Sequence, residues 1–181
     1  MTYHKANPLK GYAFKDEVGP LSMPDCGGAE GVTEIPPEQE TYLRDLIEFL
    51  QAEGKDALFI VSPYGESLTD QKMYNYMEEI VLSYGYPFLN MNNYYEEIGL
   101  VFEEDFADYG SHTNVVGTEK CTDFLRDYLR NHYDFADKRG DSAYSSWDES
   151  YRLWQREAES AREKIRERIA NEDYAVVGED E

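Results

Sequence analysis

Positive charge is scarce in this sequence. Its 181 residues include 17 Lys and Arg against 38 Asp and Glu, which gives a net charge of -21. A surface this acidic repels phosphate backbones and anionic lipid headgroups. The composition therefore argues against nucleic-acid binding, and we expect no nucleic-acid partner.

Cysteine and long apolar runs are also scarce. Cys26 and Cys121 lie far apart in the sequence, in no metal-ligand spacing, and are too few for a disulfide framework, although one bridge between them is left open. No apolar run approaches the roughly 20 residues that cross a bilayer, and residues 1–5 contain no apolar signal region. We expect no transmembrane segment, no metal and no cofactor, and the localisation is left unknown.

The length suits one compact domain with a hydrophobic core and terminal tails. Residues 1–37 are punctuated by Gly and Pro, which predicts a loop-rich lead-in with one short strand over residues 11–18. An α/β region is expected over residues 38–134, followed by an extension with a long helix over residues 135–172. An acidic tail over residues 173–181 is expected to be disordered.

Helical and strand patterns alternate within residues 38–134. A helix is predicted after Pro36-Pro37, and its apolar face carries Tyr42, Leu43, Leu46, Ile47 and Leu50. The continuous apolar run over residues 57–61 predicts a strand buried on both faces, and a helix over 68–84 and a strand over 87–90 follow. This order is typical of a parallel sheet with helices on both faces, whose ligands bind at the carboxyl ends of the strands.

Two carboxylates, an imidazole and an amide precede a strongly patterned helix. They are Asp105, Asp108, His112 and Asn114. Histidine titrates near neutrality, so a His with an Asp a few residues before it can form an oriented general base. Asn114 is placed to cap the helix through its side-chain oxygen, and Gly117 allows a close backbone approach. This segment is the candidate functional site.

No serine is favoured as a nucleophile beside this histidine. Ser111 adjoins His112 in sequence, and adjacent side chains in an extended loop diverge. Ser62 and Ser67 follow the first predicted strand, where serine usually serves as a turn or cap residue. Acidic residues around Asp105 could offer oxygens to a divalent cation, but acidic loops in so negative a chain are usually solvated.

A last helix is predicted to begin at a capping box formed by Ser146 and Glu149. Its apolar stripe consists of Trp147, Tyr151, Trp154, Ala158, Ala161, Ile165 and Ile169. We expect the aromatic start of this stripe to dock on the domain, and its thinner Ala/Ile end to project or to meet a partner.

The segment from Asp105 to Gly117 resembles the last conserved block of the SGNH/GDSL hydrolase superfamily. In a bacterial subgroup that block reads Asp-x-x-His-Leu-Asn, followed by Gly-Ala-x-Lys and a Thr-containing helix. The matching residues here are His112, Asn114, Gly117, Lys120 and Thr122. The run 137–148, which contains Asp137-Lys-Arg-Gly-Asp141, Tyr144 and Trp147-Asp148, is similar to the C-terminal extension of these proteins, and residues 57–63 to their penultimate strand.

The resemblance implies a partial flavodoxin-like three-layer α/β/α domain with a short parallel sheet and a C-terminal extension helix. Such proteins act as esterases or O-acyltransferases, many on cell-surface polysaccharides or teichoic acids. His112 would be the general base and Asp108 its orienting carboxylate, with Asp105 as the alternative. Three residues separate Asp108 from His112 where the family has two, and Thr113 replaces the usual Leu.

The family's N-terminal Gly-Asp-Ser nucleophile block, and the Gly and Asn that donate to the oxyanion, have no counterpart in this sequence. The chain therefore resembles the C-terminal half of such a protein, inactive alone, with an acylated carbohydrate or cell-wall polymer as substrate. The alternative is a non-enzymatic binding or assembly module with the final helix as its partner surface. A homo-oligomer or a complementing chain would then meet the exposed sheet edge and that helix.

Overall fold

The structure, a computed structural model, describes residues 7–175, and these form an α/β protein. The helices are α1 (Pro37–Ala52), α2 (Leu68–Ser83), α3 (Tyr95–Ile98), α4 (Val115–His132) and α5 (Ser145–Asn171). Strands β1 (Phe59–Val61) and β2 (Phe88–Asn90) pair in parallel, with Ile60 opposite Leu89. The α/β class and the parallel pairing are as predicted. Within the described range, no helix has the length and apolar character to cross a membrane. Residues 176–181 of the predicted acidic tail lie outside this range.

The chain divides into two compact units. One unit combines the described residues up to Ser22 with those from Leu100 onward, and the other consists of Met23–Gly99. These boundaries differ from the single domain and from the borders at residues 37 and 134 expected from composition. The physical reason is that the Gly- and Pro-rich lead-in forms backbone hydrogen bonds with residues more than eighty positions later, such as Val115 N–H to Lys15 C=O at 2.9 Å.

Local signals explain the elements of the Met23–Gly99 unit. Pro37 occupies the first turn of α1, where its missing N–H costs nothing. Ser67 and Asp70 form a reciprocal capping box at the start of α2. The core of this unit is Ile47, Ile80 and Val81, with β1 and β2 packed against it through Phe59 and Phe88.

Two burial predictions for this unit are wrong. The β1 strand is not buried on both faces, because Ile60 is exposed. On α1, Ile47 is buried and Leu43 and Leu50 are half-buried, but Tyr42 and Leu46 face solvent. Helix α2 and the strands cover only the side of α1 around Ile47. The apolar side that the sequence gives α1 is wider than this covered side.

The strand predicted over residues 11–18 is absent from the described structure. This segment gains only isolated backbone bonds, including Val115 N–H to Lys15 C=O at 2.9 Å. No neighbouring strand runs alongside it, and a strand requires a continuous ladder. The lead-in is instead held by packing, since Val18 is fully buried.

The second core lies between the lead-in, α4 and α5. It contains Val18 and Val115 together with Ala158, Ala161 and Ile165 of α5. Trp147 and Tyr151, at the start of α5, are exposed. The prediction for this helix is therefore wrong in part: its Ala/Ile end docks, and of its aromatic start only Trp154 packs against this core. Small side chains at positions 158 and 161 let the helix approach the core closely.

The capping box predicted at Ser146 and Glu149 is also wrong. Helix α5 begins at Ser145, and its N-cap Tyr144, two residues before the predicted N-cap Ser146, makes no side-chain cap hydrogen bond. The Ser146 hydroxyl instead lies 3.2 Å from Lys10 Nζ. The short 3-10 turn Ser142–Tyr144 leads directly into the helix and replaces the cap.

Truncating Ile165 to alanine should destabilise the protein by about 2–5 kcal/mol. Its side chain is almost fully buried against the second core, so the change removes apolar contacts and leaves a cavity. Trp147→Ala on the same helix is the matched control and should shift stability by no more than about 0.5 kcal/mol. Urea unfolding followed by circular dichroism measures both. Equal effects of the two changes would contradict the orientation of α5.

Candidate functional site

The candidate site lies on a closed loop between Asp105 and Asn114. Asn114 N–H donates to Asp105 C=O at 2.8 Å, and Ala107 N–H donates to His112 C=O at 2.8 Å. Phe106 and Thr113 form an antiparallel bridge at the neck of the loop. The loop therefore has a fixed base, and residues 108–112 form its tip.

Asn114 joins this loop to α4. Its Oδ1 accepts hydrogen bonds from Val116 N–H at 3.1 Å and Gly117 N–H at 3.2 Å, which caps the helix as predicted. Its Nδ2 donates to Glu104 C=O at 2.6 Å. Asn114 is fully buried, so one side chain ties the loop, the helix terminus and the preceding chain together.

His112 and Asp108 form a hydrogen-bonded pair at the loop tip. The backbone N–H of His112 donates to Asp108 Oδ1 at 2.6 Å, and His112 Nδ1 bonds to Asp108 Oδ2. The side chains are 64% and 38% exposed. Partial burial opposes ionisation of Asp108, but the hydrogen bonds and charge of His112 and the charge of Lys15 bring its pKa below the ordinary value. The carboxylate is thus charged at neutral pH and fixes the orientation of the imidazole.

Asp105 has a different partner. Its buried carboxylate lies 2.5 Å from Lys120 Nζ on α4 and accepts the Val101 N–H at 2.7 Å. Of the two carboxylates considered as partners for the imidazole, the structure therefore pairs Asp108 with His112 and uses Asp105 to hold α4 against the base of the loop.

The pair can accept a proton at Nε2 while Asp108 holds Nδ1, which is the arrangement of an oriented general base. Among residues 7–175, no side-chain hydroxyl or thiol is hydrogen-bonded to His112. Ser67 serves as the cap of α2. Both cysteines are free, and burial, with the charge of Asp105 adding to it, raises the pKa of the Cys121 thiol to about 12. No group of His, Cys, Asp or Glu in the described range is arranged to hold a metal ion.

A buried polar cluster at the carboxyl ends of β1 and β2 was missed in the sequence. It consists of Cys26, Glu66, Gln71, Asn90 and Asn92. Asn92 Nδ2 donates to Asn90 Oδ1 at 2.8 Å, and Cys26 Sγ donates to Glu66 Oε1 at 3.7 Å. The available signal was that Glu66 follows the first predicted strand and Asn90 ends the second, since the carboxyl ends of parallel strands converge.

Glu66 is the titratable group of this cluster, with 4% of its surface exposed. Burial, opposed by a hydrogen bond from Cys26 and reinforced by the charge of Asp70, raises the pKa of Glu66 from 4.5 to about 7. A carboxyl with a raised pKa binds its proton more tightly in the folded state. Its contribution therefore favours folding at low pH and is lost as the pH rises from 4.5 through about 7.

Glu66→Gln should remove this pH dependence. Between pH 5 and pH 8 the variant should gain about 1–3 kcal/mol of stability relative to the wild type, because glutamine has no proton to lose. Urea unfolding at both pH values gives the difference. Glu96→Gln, an exposed acid in the same unit, controls for net charge. The prediction would be contradicted if the free energies of unfolding of wild type and Glu66→Gln changed with pH in parallel.

Comparison of the chain with family models, with curated proteins and with solved structures gives no match.

Proposed function

We propose that this chain supplies the histidine and aspartate of an SGNH-like esterase or O-acyltransferase with a flavodoxin-like fold. His112 acts as general base, Asp108 orients it, and the substrate is an acylated carbohydrate or cell-wall polymer. The observation that carries the proposal is the double hydrogen bond of Asp108 to the backbone and Nδ1 of His112. The residues of the resemblance, Asn114, Gly117 and Lys120, support it by building the base of the same loop.

The reaction needs a serine hydroxyl as nucleophile. Among the described residues, no such hydroxyl is hydrogen-bonded to His112. The serine hydroxyl would lose its proton to His112 Nε2 while its oxygen attacks the acyl carbonyl. The imidazolium would then return the proton to the leaving alcohol as the ester bond breaks, which leaves an acyl-serine. In the second half of the reaction, water or an acceptor hydroxyl loses its proton to His112 Nε2 and attacks the acyl-serine. The imidazolium then returns the proton to the serine oxygen as the acyl–serine bond breaks. Asp108 stabilises the imidazolium throughout because its carboxylate stays ionised.

Hydrolysis of an activated acetyl ester tests the proposal. The chain alone should show background turnover, and His112→Ala should leave that background unchanged. When a protein segment that carries a Gly-Asp-Ser type block is joined to the chain, the joined protein should turn over the ester. His112→Ala and Asp108→Asn should then lower kcat by about 10³–10⁴-fold.

Two outcomes would overturn the proposal. Efficient turnover by the chain alone, abolished by His112→Ala, would show that a nucleophile is present after all. Full activity of the joined His112→Ala protein would show that the histidine is not the base. Lys138→Ala, at an exposed position away from the loop, is the matched control.

The second candidate function is a binding or assembly module that uses the start of α5. It is favoured by the exposure of Trp147 and Tyr151, large aromatic side chains that soluble proteins usually bury or use in contacts. Self-association or capture of a complementing chain would use this aromatic end and the edges of the two-stranded sheet. The double variant Trp147→Ser, Tyr151→Ser should then have a lower sedimentation coefficient than the wild type. If both proteins sediment as the same monomer, this candidate function loses its support.

A further inference from the structure

One face of α1 is apolar and open to solvent. Tyr42, Leu46 and Phe49 are 63%, 49% and 60% exposed. Their spacing of four and three residues places them along one side of the helix. The adjoining side, which carries Leu43 and Ile47, is the one that packs on the core of the Met23–Gly99 unit.

The border of this face carries only negative charge. Glu38, Asp45 and Glu53 are exposed and lie on the same side at helical spacing. The cation of the helix, Arg44, lies towards the other side and is paired with Glu40, at 2.7 Å between Nη2 and Oε1. An apolar strip bordered by three carboxylates is therefore presented as one surface, which we term the α1 face.

We propose that the α1 face docks a partner protein whose contact surface is an apolar strip bordered by Lys and Arg. Exposed side chains at i, i+4 and i+7 match the anchor spacing by which a helix is recognised in protein complexes. The carboxylates of the α1 face select the charge of the partner, since like charges across an interface are repelled and opposite charges steer association. This surface belongs to the Met23–Gly99 unit, whereas His112 belongs to the other unit, and the proposal goes beyond the proposed catalytic role.

A second copy of this chain does not supply the positive charges that the carboxylates of the α1 face select. Pairing two α1 faces would bring the carboxylates of Glu38, Asp45 and Glu53 from each copy together, on chains that each carry a net charge of -21. Anionic membranes are disfavoured for the same reason. A cationic protein surface is the occupant that matches both the apolar strip and its border.

A synthetic peptide helix tests the proposal, used with the full chain. The probe has roughly 18 residues, five helical turns, with leucines on one side bordered by lysines, and its binding is followed by fluorescence anisotropy. It should bind the wild type, and a peptide with glutamates in place of the lysines should not. Leu46→Ser with Phe49→Ser should weaken binding by about tenfold or more.

Charge variants and a surface control separate the α1 face from general attraction to an acidic protein. Asp45→Lys should weaken binding of the lysine peptide and reduce its salt dependence. Phe135→Ser, an exposed aromatic side chain that lies on neither candidate binding surface, should leave binding unchanged. Circular dichroism confirms folding, and Asp45→Lys alone decides the test when the serine variant does not fold. Equal loss of binding in the Phe135→Ser variant, or unchanged binding in the α1 variants, would overturn the proposal. A wild-type dimer that Leu46→Ser with Phe49→Ser dissociates would overturn it as well.

Discussion

Gly117→Ala should destabilise the protein by about 2 kcal/mol or more, although helix propensity alone favours alanine over glycine by about 1 kcal/mol. A Cβ at this position would lie 2.4 Å from the Asp105 carbonyl oxygen, 3.0 Å from Asp105 Cβ and 3.1 Å from Thr113 Cβ. The nearest of these atoms is backbone, and it accepts the hydrogen bond that closes the base of the loop. Space for the methyl group can come only from moving α4 away from that base.

Urea unfolding gives the size and sign of the effect. Thr122→Ala, at an exposed position on the same helix, should change stability by no more than about 0.5 kcal/mol. Nuclear magnetic resonance shifts of the His112 ring should also move in the Gly117 variant, since the displaced loop carries the imidazole. A stabilised Gly117→Ala protein would mean that α4 does not approach Asp105 so closely.

Lys120→Met should destabilise the protein by about 2–4 kcal/mol. Asp105 is buried, and Lys120 is the cation that compensates its carboxylate at 2.5 Å. Methionine keeps the apolar stem of the lysine but leaves a charged group among apolar neighbours, with the Val101 N–H as its remaining bond. The cost comes from this uncompensated charge rather than from lost packing.

A double-mutant cycle isolates that cost. Asp105→Asn removes the charge and can keep the bond to Val101, so Lys120→Met should cost much less in the Asp105→Asn background. The expected coupling is about 1–3 kcal/mol, measured by urea unfolding of the four proteins. Additive effects of the two changes would show that the ion pair contributes nothing to holding α4.

Local interactions made parts of the site predictable from the sequence. Asn114 caps α4 with its own side chain, and Asp108 contacts His112 four residues along the same loop. Such contacts depend on neighbouring dihedral angles rather than on the rest of the protein. For the same reason Pro37, Ser67 and the apolar periods located α1 and α2 to within a residue at their starts.

The choice between Asp105 and Asp108 was not available from the sequence. Both precede His112 at short range, and the decision depends on Lys120, which approaches Asp105 only because α4 packs against the loop. The polar cluster around Glu66 is similar, since Cys26 lies 40 residues away in sequence and meets it through the fold. Burial of a carboxyl at that position is set by its spatial neighbours.

Taken by itself, the sequence determined where α1, α2, α4 and the two parallel strands of this protein lie, and that Asn114 caps α4. It did not determine the start of α5 or the structure of residues 11–18. It also determined the acidic surface that makes phosphate-rich partners unfavourable. The tertiary structure decided which part of each apolar stripe is covered: Ile47 rather than Leu46 on α1, and Ile165 rather than Trp147 on α5. The physical reason is that periodicity records which side of a helix is apolar, whereas burial depends on the width and position of the surface packed against it.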